Sequence, residues 1–82
     1  MRYRKTQAVI MKRSGLYPVA DVAQAVGVKP ASIYTLLRSG ELRGVQQGRA
    51  WWVELASAVE HWRMLPPIAA RLLSLRQAPE AA

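Results

Sequence analysis

The chain has 82 residues, a formal net charge of +7, a hydrophobic fraction of 51% and no cysteine. That length holds one small domain with a marginal core; the apolar content excludes a disordered basic tail, and the lack of cysteine excludes disulfides and thiolate metal sites. Twelve basic residues stand against five acidic ones, which points to a polyanionic partner, nucleic acid before an anionic membrane surface.

Residues 1–16 read as a basic N-terminal extension. Arg2, Arg4, Lys5, Lys12 and Arg13 lie in it with no acid among them. Its apolar run, Ala8 to Met11, is shorter than the about 7–15 residues of a secretory signal. No run anywhere approaches the roughly 18 residues of a bilayer span, so the expected location is the cytoplasm. Thr6 to Arg13 fits a short helix with Gly15 behind it, or a strand; period does not separate them. The segment is either a phosphate-touching arm or a solvated extension.

Val19 to Val26 is the first clear helix. Val19, Val22, Ala23 and Val26 share a face, Pro18 suits the first turn, and Gly27 ends the element. Val28 is expected as a buried hinge. Pro30 opens a second helix whose stripe is Ile33, Leu36 and Leu37, and Gly40 closes it. Two short helices joined by a few residues with glycine at the corner have the form of a helix-turn-helix.

The stretch "ELRGVQQGRAWWVEL" then changes period. Leu42, Val45, Trp51 and Val53 flank a polar tip of Gln46, Gln47, Gly48 and Arg49, which reads as a β-hairpin. Leu55 to Trp62 is helical again, with Leu55, Ala58, Val59 and Trp62 on one face. Pro66–Pro67 breaks the chain and restarts it. Ile68, Leu72 and Leu75, with Leu73 beside them, form a stripe that either folds back over Trp62 and Leu55 or serves self-association. The expected organisation is a helix-turn-helix domain with a hairpin over 17–65, a C-terminal helix over 66–77 and a frayed tail over 78–82.

Over roughly residues 17–62 the chain resembles the excisionase and MerR-type winged helix-turn-helix family. The resemblance is carried by Val22, Ala23, Val26, Gly27, Val28, Ile33 and Leu36, by "RSGEL" directly after the second helix, and by "GRAWWV" in the hairpin. It implies a mainly α fold with a small β-hairpin wing and a C-terminal helix. It implies sequence-specific binding of double-stranded DNA, the second helix in the major groove and the wing on an adjacent groove or the backbone. Lys29, Ala31, Ser32, Thr35 and Arg38 then form the outer side of that helix, with Tyr34 at its edge and Gln46, Gln47 and Arg49 on the wing. Ser32 and Thr35 are candidates for base hydrogen bonds, and Ala31 for a thymine methyl. Lys29, Arg38 and Arg43 are candidate phosphate contacts, with the N-terminal cations. Ser32 has local capping as its alternative role, and Tyr34 has packing. By the family's spacing Trp51 is core, which leaves Trp52 as a second packing layer or a partner contact.

His61 is the only histidine, and the acids Asp21, Glu41, Glu54 and Glu60 have no catalytic spacing, so no enzyme, metal or cofactor is expected. The expected roles are a transcription regulator or an excisionase-like architectural factor of a bacterium or bacteriophage, present as a homo-oligomer or cooperative array beside recombinase or transcription machinery. Two alternatives are a small terminase-like DNA-packaging subunit and a protein-interaction adaptor acting through Trp52 and the C-terminal helix.

Overall fold

A computed structural model describes residues 5–77. Five helices and three strands follow in the order α1 (Lys5–Arg13), β1 (Leu16–Pro18), α2 (Val19–Val26), α3 (Pro30–Ser39), β2 (Gly44–Gln47), β3 (Ala50–Glu54), α4 (Leu55–His61) and α5 (Pro66–Gln77). Of the two readings for Thr6 to Arg13, helix or strand, the structure has the helix. Arg2, Arg4 and the tail 78–82 lie outside the described residues.

The α2–α3 pair forms as its residues dictate. Gly27 takes φ +88°, a left-handed conformation in which any Cβ is strained, and the amides of Gly27 and Val28 both donate to the Ala23 carbonyl at 2.8 and 3.0 Å. Those bonds satisfy the helix end and turn the chain. Lys29 is extended, and Pro30 opens α3 at the position where its missing N–H costs nothing. Val22, Ala23, Val26, Ile33 and Leu37 close over one another. Two details differ from expectation. Pro18 ends β1 and caps α2 from outside rather than sitting in its first turn. Val28 is not buried: it is 39% exposed, because the turn is held by its backbone amide and not by its side chain.

The sheet is antiparallel, with strand order β1-β3-β2. The fold is therefore a small mixed α/β domain: the expected hairpin forms, and a third strand, β1, joins it in one sheet. β1 straddles the expected boundary at residue 17. Leu16, Tyr17 and Pro18 pair with Glu54, Val53 and Trp52, so the strand takes its first residue, Leu16, from the segment assigned to the extension. The β2–β3 hairpin turns through a two-residue loop, Gly48–Arg49, between paired Gln47 and Ala50.

Paired residues point to the same face of a sheet, and neighbours along a strand to opposite faces. Val53, Tyr17 and Gly44 thus share one face, and Trp52, Pro18 and Val45 the other. The first face joins the main core with Leu42, Leu55, Ala58 and Leu72. Trp52, on the second, is 0% exposed, and α1 packs against β1. Of the two roles left for Trp52, the structure gives the second packing layer, with the side chain closed in; Trp51 packs on the main core as expected but stays half-buried at its edge. Both faces of this sheet are covered, so alternation along β3 does not separate core from surface.

Leu72 is 0% exposed in the core, and Ile68 and Leu75 pack partly against it. The α5 stripe is thus folded back within the chain, with α5 lying on α2 and α4. Gly44 lets β2 approach. A Cβ there would collide with the Trp52 carbonyl oxygen and meet Leu37 Cδ2 at 2.9 Å. The root of the hairpin is therefore seated on α3.

Candidate nucleic-acid interface

A helix offers a surface to a partner only if its outer face is free of the core. On α3, Lys29, Ala31, Ser32, Thr35 and Arg38 are all exposed, while Ile33 and Leu37 are buried beneath them. Tyr34 is half-buried and packs on the core, which places it at the rim. The Thr35 hydroxyl donates to the Ala31 carbonyl at 3.1 Å, so its proton is committed to its own helix while its methyl and lone pairs stay outward. α3 has no side-chain cap, and Ser32 supplies none. The first turn carries no acid, so the positive end of the helix dipole lies uncompensated beside Lys29.

Among the described residues the ion pairs are Arg43–Glu54 and Arg63–Glu60. Lys29, Arg38 and Arg49 therefore carry charge with no acid in ion-pair contact. Arg43 differs from them: its Nε donates to Glu54 Oε1 at 3.0 Å and its Nη2 lies 2.9 Å from the same oxygen. Its charge is shared within the protein, which weakens it as a phosphate contact. Lys12 and Arg13 stand at the end of α1, and Lys5 is its first residue.

The hairpin differs from the expected four-residue tip. Gln46 and Gln47 are consecutive strand residues and face opposite ways. Gln46 shares the face of Gly44, the side on which α3 lies, whereas Gln47 shares the face of Trp52. Only Gly48 and Arg49 form the tip. One surface cannot use both glutamines together with α3.

Sequence reasoning missed Ser57. It is buried on α4, accepts the Arg43 amide at 3.1 Å and donates to the Glu54 carbonyl at 2.8 Å. It ties the segment entering the hairpin to the segment leaving it, and so fixes the root of β2 and β3. No pattern marked it, because a serine in the first turn of a helix looks like a solvated residue until its neighbours are known.

Among the described residues no cluster of His, Asp or Glu is placed to hold a metal ion, and no helix is long and apolar enough to cross a membrane. No family model, curated protein or solved structure matches the chain.

Proposed function

We propose that the protein binds double-stranded DNA as a winged helix-turn-helix, with α3 in the major groove and the β2–β3 hairpin on the flanking backbone or minor groove. One observation carries this reading: α3 follows a glycine turn and presents Lys29, Ala31, Ser32, Thr35 and Arg38 outward, with no acid among the described residues paired to its cations. A recognition helix needs such a face, in which cations grip phosphate and small or hydroxyl side chains meet base edges. Gln46, on the α3 side of the hairpin, and Arg49 at its tip extend the face; Gln47 is left out. The net charge of +7 supplies long-range attraction to DNA.

The role is that of a transcription regulator or an excisionase-like architectural factor acting in a bacterial cytoplasm. The adaptor alternative loses its anchor, since Trp52 is inaccessible. The test is retention of native genomic fragments by the purified protein at two salt concentrations. Enrichment of a few fragments that persists at the higher salt supports sequence reading. Uniform binding that salt erases refutes it, since neutralisation of phosphate alone is sequence-blind.

A further inference from the structure

The end of the sheet remote from the hairpin tip carries a second basic surface. Leu16 pairs with Glu54, the last residue of β3, and the Leu55 amide donates to the Gly15 carbonyl at 2.9 Å. The tip lies beyond Ala50, the first residue of that strand. The strand between them spans about 13 Å at roughly 3.3 Å per residue.

There the end of α1, the Ser14–Gly15 turn, Tyr17 and the end of α5 enclose a cleft of about 460 Å³. Among the described residues its charged lining is Lys12, Arg13 and Arg76, with no acidic side chain. None of the three is ion-paired among the described residues. Asp21 lines the adjoining groove between α2 and α5 with Arg71, not this cleft. Lys12 and Arg13 stand in the last turn of α1 and Arg76 in that of α5, so the partial negative charge of the two helix ends offsets only part of the repulsion among three cations that the packing of α5 on α2 brings together.

The Ser14 amide is within 3.2 and 3.1 Å of the Ile10 and Met11 carbonyls, and the Gly15 amide donates to the Lys12 carbonyl at 2.9 Å, so these backbone amides are already engaged and the donors left to a ligand are side chains. The side chains offer an ammonium, two guanidinium groups and the exposed Ser14 hydroxyl, nearly all donors. The matching ligand is rich in acceptors and multiply charged. A carboxylate balances one positive charge of three. A phosphate monoester brings a charge of about −1.5 to −2 and three strong acceptor oxygens, and a guanidinium fork meets it bidentately. The volume falls within the roughly 300–1,000 Å³ of small-molecule clefts, which leaves room for more than one phosphate.

We propose that this cleft is a phosphate-binding site separate from the α3–hairpin face. Its ligand is either a free phosphorylated molecule or the backbone of a DNA segment, and the recognition chemistry is the same for both. The assignment stands on the cleft itself and does not require α3 to dock on DNA.

The test is a titration of the isotope-labelled full chain with sodium pyrophosphate at constant ionic strength, followed by amide and arginine side-chain resonances. The expected result is a saturable shift at Ser14, Gly15 and Arg76, reproduced by neither chloride nor acetate. R13Q/R76Q, with both residues exposed, keeps the wild-type melting temperature and loses roughly tenfold in affinity, about 1.4 kcal/mol. A second titration uses a short DNA duplex and the variant K29A/R38A/R49A, in which the α3–hairpin face is disabled. Cleft shifts with duplex but not with pyrophosphate assign the ligand as DNA backbone. Absence of cleft shifts in both titrations overturns the proposal, as do shifts spread evenly over every cation. The pyrophosphate arm is independent of DNA binding by α3, so the two readings fail separately.

Discussion

Replacing Gly44 by alanine tests whether the hairpin is seated on α3 as described. The added Cβ has two neighbours of different kinds. Leu37 Cδ2, at 2.9 Å, is the end of a flexible side chain and can turn away. The Trp52 carbonyl oxygen cannot, because it belongs to the central strand, held between β1 and β2. Relief therefore requires β2 to move off β3 at the Gly44–Val53 pair. Overpacking of this kind costs about 1–3 kcal/mol, and a weakened ladder bond adds about 1 kcal/mol. At roughly 4–8 °C per kcal/mol for a domain of this size, the melting temperature falls by at least about 8 °C. Thermal unfolding followed by far-UV circular dichroism reads the shift. Val45→Ala, one residue along and largely open to solvent, is the comparison and shifts stability by less than about 1 kcal/mol. A Gly44→Ala variant as stable as the wild type would refute the close approach of β2 to β3 and the position of the hairpin built on it.

Leu72→Ala empties a fully closed site and costs about 2–5 kcal/mol, measured by denaturant unfolding; if α5 served only self-association, the loss would appear as a concentration dependence instead. Ser57→Ala leaves the Arg43 amide without its acceptor and costs about 1–3 kcal/mol in the same assay. Arg43→Ala removes only an exposed ion pair and changes stability by less than about 1 kcal/mol. The order of those two variants checks that the backbone of Arg43, rather than its charge, fixes the hairpin root.

The α2–α3 unit was legible because its signals are local. Val19 to Val26 keeps helical period, Gly27 has a conformation other residues avoid, and Pro30 and Gly40 bracket the second helix. β1 was not legible, since Leu16–Pro18 is too short to show alternation and its partner lies on β3, far along the chain. The degree of burial of the adjacent tryptophans, with Trp52 more enclosed than Trp51, was not legible for a related reason. Period two tells the faces apart only when one of them is wet, and here Trp52 and Val53 are both closed in, on opposite faces. The exposed cations of α3 could be named from helical period alone. The pairing of Arg43 with Glu54, the burial of Ser57 and the meeting of Lys12 with Arg76 are tertiary events that no window of sequence contains.

The measurement that bears most directly on the DNA-binding proposal is the salt dependence of duplex binding by the wild type and by K29A/R38A/R49A. Each neutralised phosphate contributes about −0.9 to the slope of log affinity against log salt, so loss of three contacts makes the slope shallower by about 2.7. That change, with weaker binding and an unaltered melting temperature, is the predicted result. An unchanged slope in the variant would place the DNA elsewhere on the molecule and contradict the docking of α3 and the hairpin.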